Sequence, residues 1–425
     1  MSRKAIVSII VCIAALTVST GLRADGGTQG SFTPYSMFGV GDIAMPGSSY
    51  NRQMAGVGVA SRNNRFLNIT NPASVTARDS LSFMADFSLS GACTLFKQGD
   101  MKSVSNTFNL SSLAISFPLG NHMAMMVGIA PYSNMGYNYG YYLSDPAVIS
   151  QTGVVGFSAT GQGSVYQAFA GIGATLWKRL SLGVQGNFSF GNLEKNYTQT
   201  FSDASYQGYE KGYVISLTGT NLKFGLQYDQ PLGSKSSLTL GATYSLATNL
   251  RAYVDDVYQN KTDTLDRSSG LKLASELSVG LAYNYGDKLK IECDASFSDW
   301  NNTGMMSHNA FKGEKFTTTS QKSYRLGAEF VPNRNDVRYY FKKCTYRAGV
   351  YRKNEYYLLD GNEVNSTVVT FGMTLPVFRW YNGLSVGMEI GRRGSVANNM
   401  IRETFFNFSF GMNIFDIWFQ QPRYD

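Results

Sequence analysis

The sequence predicts an all-β protein: a 14-stranded antiparallel transmembrane β-barrel with an N-terminal hatch, or plug segment, inside it. Three observations predict this fold. From residue 80 onward, apolar and polar residues alternate with a period of two in one segment after another. The connections between these segments are alternately short and long, which is typical of bacterial outer-membrane barrels. The composition combines 27 Tyr, 27 Phe and 44 Gly with only 16% charged residues.

The first 24 residues have the features of a secretory signal peptide. Arg3 and Lys4 precede an apolar run, and Ala24 is a small residue at a suitable cleavage position. The run is too short for a spanning helix, and no later stretch resembles 18 consecutive apolar residues. We therefore expect a multi-pass β-barrel in the cell outer membrane, with both termini in the periplasm and with membrane lipid as a partner.

Residues 25–79 form the predicted hatch. Within them, 47–75 is the only long piece of the chain that does not resemble a β-strand. Such a segment has too few large apolar side chains to fold alone, so we expect the rest of the chain to form a barrel around it. Pro72 removes a backbone donor and holds its neighbour extended, although an ordinary turn would also explain it. The residues assigned to the hatch packing are Ala55, Gly56, Gly58, Ala60, Asn71, Pro72 and Ala73.

Residues 80–414 form the predicted barrel, and 415–425 form a periplasmic C-terminal tail. Short connections lie on the periplasmic side and long loops lie outside. The fourteen predicted strands are 80–91, 106–118, 121–132, 163–177, 180–197, 212–229, 236–250, 270–285, 287–300, 320–331, 344–353, 364–375, 383–392 and 401–414.

The alternation also predicts which side chains face the lumen. In 287–300, Lys290, Glu292 and Asp294 lie opposite an apolar face. A Lys or Arg on the lipid face costs roughly 2–4 kcal/mol at the midplane, so these charges are expected inside. We expect opposite charges on neighbouring strands to pair there, either to satisfy and rigidify the wall or to line a solute path. The same alternation adds Glu276, Arg325, Glu329, Arg347 and Glu389 to this lumen charge network. A soluble barrel or sandwich, with its apolar face inward, is the rival architecture.

The sequence contains no pattern that indicates an enzyme. It has two histidines, His122 and His308, and no nucleophile-elbow, zinc-protease, phosphate-loop or dinucleotide motif. The charges are scattered, which argues against a nucleic-acid surface. Three carboxylates of the outer loop 251–269 could attract Ca²⁺ but lack a motif spacing. We therefore expect no cofactor, no metal site and no catalytic residue.

Several stretches resemble a known family. The chain reads MAGVGVAS at residues 54–61, then Asn-Pro-Ala just before the first strand, then fourteen strands. This order resembles the long-chain fatty-acid transporter (FadL-type) family of outer-membrane proteins. The opening SFTPYSMFGVGD and the tail FDIWFQQPRYD are similar to a divergent branch of it. The resemblance implies that the hatch plugs the barrel from the periplasmic side, and that hydrophobic ligands enter from outside and leave through an opening in the wall.

Two functions follow from this resemblance. The first is an outer-membrane transport protein that passes small hydrophobic, fatty-acid-like molecules through the plugged barrel. Aromatic side chains in loop 133–162 would then form the ligand pocket. The alternative is a non-transporting accessory or shuttle barrel of an outer-membrane protein-secretion or assembly machine, with a protein partner at the outer loops or the C-terminal tail. The pocket candidates are Met135, Tyr137, Tyr139, Tyr141 and Tyr142.

Overall fold

The computed structural model describes residues 31–79, 81–258, 261–266, 270–308, 311, 314–377 and 383–417. The predicted signal peptide and most of the predicted tail lie outside these residues. The hatch contains little regular structure: a 3₁₀ turn at Pro34–Met37, strand β1 (Asp42–Ile43), helix α1 (Ser49–Arg52) and a second 3₁₀ turn at Pro72–Thr76. Asn71 caps this last turn by accepting the backbone N–H of Ala73.

The rest of the described chain is one closed antiparallel sheet. β19 pairs with β2, which closes the barrel. Interrupted strands share a position in the wall, β8 with β9, β10 with β11 and β12, and β14 with β15, so the wall has the fourteen strands that the sequence predicts. The strands are β2 (Ser82–Gln98), β3 (Met101–Pro118), β4 (Met123–Tyr142), β5 (Val155–Leu176), β6 (Leu180–Phe201), β7 (Tyr209–Pro231), β8 (Ser236–Ser245), β9 (Thr248–Tyr258), β10 (Lys261–Asp266), β11 (Leu271–Leu273), β12 (Glu276–Tyr285), β13 (Leu289–Asp299), β14 (Thr317–Thr318), β15 (Ser320–Phe330), β16 (Thr345–Leu359), β17 (Asn362–Pro376), β18 (Gly383–Arg393) and β19 (Arg402–Ile417).

The two faces of the wall differ as the alternation predicts. Large apolar side chains point outward and are exposed, among them Phe224, Leu326 and Phe408. Polar residues between them, such as Ser181 and Gln227, are buried inside. An apolar belt around a closed barrel with a polar interior is the arrangement that a lipid bilayer requires, so the protein is an outer-membrane barrel. Within the described residues, no helix is long and apolar enough to cross a membrane.

The outer parts of the strands are longer than predicted. Segments 92–105 and 354–363, expected as long loops, are the ends of strand pairs β2–β3 and β16–β17 joined by tight turns. Loop 133–162 consists mostly of β4 and β5, joined through helix α2 (Pro146–Thr152). Outside the membrane both faces of a strand contact water, so apolar and polar residues no longer alternate although the backbone pairing continues.

The last strand is also longer than predicted. β19 runs to Ile417, and Asp416 and Ile417 pair with Phe83 and Ser82 of β2. Residues 415–417, which the sequence analysis placed in the periplasmic tail, therefore belong to the wall. The remaining tail residues, 418–425, lie outside the described part of the chain.

Candidate functional site

The Asn71-Pro72-Ala73 tripeptide lies directly on the inner wall of β6 and β7. Two wall glycines allow this approach. A Cβ atom at Gly225 would lie 2.1 Å from Asn71 Oδ1, and one at Gly183 would lie 2.4 Å from the carbonyl carbon of Pro72. The Asn71 amide also donates to the carbonyl of Leu226 in β7 at 3.2 Å. At Gly183 the hatch backbone therefore lies directly on the wall, and at Gly225 the Asn71 and Pro72 side chains do.

The small-residue stretch of the hatch is held by polar side chains of the wall. Thr370 Oγ1 accepts the N–H of Ala55 at 2.9 Å. Asp294 Oδ2 accepts two neighbouring backbone N–H groups, from Gly58 at 2.7 Å and from Val59 at 3.0 Å. Hydrogen bonds from N–H groups to a buried carboxylate are among the stronger ones in proteins. The other predicted members of the stretch are buried as well: Gly56 and Ala60.

Arg347, one of the predicted lumen charges, joins the hatch to two strands. Its Nε donates to Glu329 of β15 at 2.9 Å, and its Nη1 donates to Gln53 of the hatch at 2.8 Å. Its guanidinium also lies 4.5 Å from the centre of the Tyr50 ring. An ion pair, a hydrogen bond and a cation–π contact thus meet at one buried side chain.

Lys290 makes a second ion pair, which is not the cross-strand pair that the sequence predicts, because its partner lies on the same strand. Its Nζ lies 2.8 Å from Glu292 Oε1, two residues away on β13. It also donates to Ser61 Oγ of the hatch at 2.9 Å and to the hydroxyl of Tyr50 at 3.2 Å. The wall charges therefore hold the hatch as well as one another.

The other predicted lumen charges lie inside the barrel and have mainly uncharged partners. Arg325 is opposite Asp294 in the β13–β15 register but donates to Ser296 Oγ at 3.2 Å. The remaining two accept hydrogen bonds from neutral side chains, Glu389 from Asn407 and Glu276 from Ser278. Only Arg347–Glu329 forms the predicted cross-strand pair among these residues. The carboxylate that would complete a second pair, Asp294, binds the hatch instead.

A further ion cluster near the outer end, not predicted from the sequence, is centred on Arg393. Its Nε donates to Glu403 Oε2 at 2.7 Å, and its Nη1 donates to Asp42 of β1 at 2.9 Å. Its Nη2 donates to Thr33 of the hatch at 3.0 Å, and Glu355 lies 3.5 Å from Nη1. The predicted strand 383–392 ends one residue before Arg393, which is the last residue of β18. Glu403 shares the polar face of β19 with Asn407 and Ser409, so the alternation could have indicated it.

The outer end of the lumen is closed by a packed apolar group, which we call the outer seal. It contains 21 buried residues from the hatch, the strands and loop 301–316. Trp300 stacks on Tyr356 with ring centres 4.5 Å apart, and both side chains are almost fully buried. The hydroxyl of Tyr356 donates to the hatch carbonyls of Phe38 at 2.9 Å and Gly41 at 2.8 Å. The seal therefore binds the hatch by backbone hydrogen bonds and by packing.

A buried ion pair fixes loop 301–316 onto this seal. Lys195 of β6 contacts Glu314 and donates to the carbonyl of Met37 at 3.0 Å. Glu314 also accepts the N–H of Gly39 at 3.1 Å. Burial raises the pKa of Glu314, and the neighbouring Lys195 opposes that rise. Loop, wall and hatch meet at these two side chains.

The predicted pocket residues divide between the seal and the surface. Met135 and Tyr137 are fully buried members of the outer seal. Tyr139, Tyr141 and Tyr142 are 40%, 58% and 76% exposed. The structure therefore does not bring the five side chains together around one cavity: two are packed inside the seal and three are exposed to solvent, although Tyr139 still contacts Met37 of the hatch.

The wall is interrupted between β3 and β4. The two strands pair from Pro118–Ala124 up to Leu113–Ile129 and then separate. Beyond that point β3 pairs only with β2, while the edge of β4 is covered by β1 and by the hydrogen bond from Thr33 N–H to the Gly136 carbonyl. A lumen cavity of about 350 Å³ reaches this separation, and most of the residues that line it have polar side chains.

Comparison with known proteins supports the fold and identifies the family. The BamG family model matches residues 1–425. The chain belongs to the BamG family. A comparison with curated proteins found no match.

Among solved structures, the chain is similar to hydrocarbon transporters of the FadL-type fold. The Pseudomonas putida toluene transporter TodX matches with a TM-score of 0.57 and 15% identity, covering 90% of this chain and 100% of TodX. The Ralstonia pickettii toluene transporter TbuX matches with a TM-score of 0.58 and 14% identity over 86% of this chain and 97% of TbuX. A Pseudomonas aeruginosa FadL homologue matches with a TM-score of 0.56 and 12% identity over 88% and 99%. These likenesses establish a FadL-like barrel fold.

Proposed function

We propose that this barrel is a non-transporting accessory subunit of an outer-membrane protein-secretion or assembly machine. The observation that carries the proposal is the outer seal. Where the transporter hypothesis needs a ligand pocket at the outer mouth, Met135, Tyr137, Trp300 and Tyr356 are packed with no more than 1% of their surface exposed. An incoming hydrophobic molecule would have to displace this core at a cost of several kcal/mol.

The attachment of the hatch supports the same proposal. Six buried side chains of five wall strands hold it: Asp294, Lys290, Arg347, Thr370, Arg393 and Glu403. Breaking a buried, charge-assisted contact costs about 1.5–3 kcal/mol, so releasing several at once is unfavourable. We infer that a barrel whose lumen is filled in this way functions by binding other proteins with its outer surfaces. The family match covers the whole chain, whereas identity to the hydrocarbon channels is at most 15%, so the channels are a weak guide to function.

Native mass spectrometry of the protein extracted from its own outer membrane in mild detergent tests the proposal. We expect a stoichiometric protein partner and an empty lumen. A bound apolar small molecule, released by heating, with no protein partner would contradict it. Conductance in planar bilayers is the second measurement: the wild type should be silent, and deletion of residues 31–79 should open a pore.

The interrupted wall favours a second candidate, the passage of small hydrophobic molecules between the lumen and the membrane. The β3–β4 separation and its cavity provide a lateral route that avoids the outer seal. Ala130→Trp would fill the cavity at this separation, and Ala348→Trp on the lipid face of β16 is the matched control. Loss of toluene uptake by cells carrying Ala130→Trp alone would favour transport, and equal uptake by both variants and the wild type would exclude this route.

A further inference from the structure

The periplasmic rim of the barrel is strongly basic. Four of its turns, 177–179, 232–235, 286–288 and 331–344, contain eight cationic and only two anionic residues. The cations are Lys178, Arg179, Lys235, Lys288, Arg334, Arg338, Lys342 and Lys343. One of the two carboxylates, Asp336, is already engaged, because it accepts backbone N–H groups of its own turn from Arg338 at 2.8 Å and Tyr339 at 2.6 Å.

These turns form a continuous arc. The N–H of Asp229 donates to the carbonyl of Arg179, that of Gly286 donates to Lys235, and that of Val331 donates to Lys288. Each bond joins a turn to the next strand or turn around the rim. The cationic side chains are therefore neighbours, and their fields add.

A cleft of about 460 Å³ lies between this arc and the hatch. Arg62 and Arg78 line its hatch side, and Lys288 and Arg334 line its rim side. Among the described residues, both hatch arginines donate hydrogen bonds to neutral side chains alone: Arg62 to Ser181, Gln227 and Thr76, and Arg78 to Ser116. The Nε and Nη1 atoms of Arg78 are buried and have no hydrogen-bond partner within the described residues.

Both arginines are cations at neutral pH. Burial lowers the pKa of Arg62, and it lowers the pKa of Arg78 to about 10, which is still well above 7. Three carboxylates line the cleft, Asp229, Asp287 and Glu329, against five cationic side chains. Glu329 pairs with Arg347, and Asp229 accepts a hydrogen bond from Thr239 and acts electrostatically on Arg62. The cleft thus holds more cationic charge than its own carboxylates neutralise.

An apolar edge lies beside the basic arc. In turn 331–344, which includes helix α3 (Tyr340–Lys343), Val337 is 92%, Tyr339 52% and Phe341 66% exposed. The charged groups of Arg338 and Lys342 lie over the Tyr339 ring, 5.7 Å and 4.6 Å from its centre. Aromatic residues combined with arginine are enriched at protein interfaces.

We propose that the cleft and the basic arc are the docking site for an extended, Asp- and Glu-rich segment of a periplasmic protein. This inference rests on the accessory role proposed above and specifies the chemistry of the partner. Charge complementarity identifies the occupant: its carboxylates reach Arg62 and Arg78 inside the barrel mouth and the lysines on the rim. Lipid head groups surround the rim from outside, so they do not meet the hatch arginines.

Fluorescein-labelled decaglutamate is the probe for the test. Its binding to the full-length protein in a neutral detergent is followed by fluorescence anisotropy. Lys288→Gln with Arg334→Gln removes two rim cations, and Arg62→Gln with Arg78→Gln removes the two hatch cations. The matched control, Lys102→Gln with Lys315→Gln, removes two exposed cations at the outer end. We expect Kd to rise about five- to tenfold in each of the first two variants and less than twofold in the control.

Carbodiimide cross-linking locates the bound peptide. We expect links from its glutamates to Lys288 and Lys342 and none to Lys102 or Lys315. Equal Kd values in all variants, or links at both ends of the barrel, would overturn the proposal. It would also be wrong if phosphatidylglycerol micelles protect the rim lysines from acetylation and decaglutamate does not, because the rim would then be a lipid contact.

The peptide-binding experiment can fail without contradicting the proposed accessory role. If decaglutamate fails to bind while a stoichiometric partner still co-purifies, only the assignment of the cleft is lost. If neither binds, both proposals are wrong.

Discussion

Asp294 gives the sharpest test of how the hatch is held. Its carboxylate accepts the N–H groups of Gly58 at 2.7 Å and Val59 at 3.0 Å and is 5% exposed. Asp294→Ala removes both bonds and leaves two buried donors without partners. At about 1.5–2 kcal/mol for each charge-assisted bond, the hatch contact weakens by about 3–4 kcal/mol. Because about 1.4 kcal/mol is tenfold, local opening of this stretch should become roughly 100- to 1,000-fold more frequent.

Hydrogen–deuterium exchange measured by mass spectrometry on the protein in detergent is the assay. Peptides that cover residues 54–60 should exchange faster by that factor, while wall peptides of β13 beyond the mutation keep their protection. Asp299→Ala, at the outer end of the same strand, removes an exposed carboxylate and serves as control. Unchanged exchange at residues 54–60 in Asp294→Ala would refute the reasoning, since the hatch would then be held without this carboxylate.

Three further outcomes are expected. Gly225→Ala places a methyl group 2.1 Å from Asn71 Oδ1 and should raise exchange across residues 71–76, whereas Gly233→Ala, with no atom within 4 Å, should change nothing there. Trp300→Ala should weaken the outer seal by about 3–5 kcal/mol and leave a cavity that binds the apolar dye Nile red in a fluorescence titration. If the variant does not increase the fluorescence of the dye, the neighbouring side chains fill the cavity and this prediction is wrong. The carboxylate of Asp336 accepts two backbone N–H groups of its turn, and these hydrogen bonds lower its pKa below the ordinary 3.8. The turn is therefore fully stabilised above pH 3.8, and this stabilisation is lost as the pH falls through the lower pKa of the folded state. Hydrogen exchange at the amides of Arg338 and Tyr339, corrected for intrinsic rates, should rise only below pH 3.8. A rise near neutral pH would contradict this prediction.

Alternation predicted the fourteen strands, their direction and their faces, because lipid on one side and a polar lumen on the other require a strict period of two. The alternation did not predict the parts of the strands that extend beyond the membrane. Segments 92–105 and 354–363 are strands outside the membrane band, and their side chains give no apolar signal. The same limit hid Arg393, which lies at the end of β18.

The position of the hatch could be predicted, but its contacts could not. A stretch rich in Gly and Ala indicates close packing against another part of the protein, and the wall glycines at 241, 280, 327 and 349 lie directly against residues 54–60. Which carboxylate meets which N–H depends on strand register. The sequence predicts that Asp294 pairs with a cation of a neighbouring strand. In the folded barrel Arg325 is opposite it, yet its Oδ2 accepts the N–H groups of Gly58 and Val59 instead.

The position of the hatch inside a barrel closed by β2 and β19 constrains the order of folding. The plug precedes every wall strand in the chain, yet it is enclosed by the pairing of the first wall strand with the last across sixteen residue pairs. That seam joins segments more than 300 residues apart, so it has the highest loop-closure cost in the sheet and should form late. The growing sheet can therefore curl around the plug while the seam is open, and its closure traps the plug without any chain having to thread a finished ring.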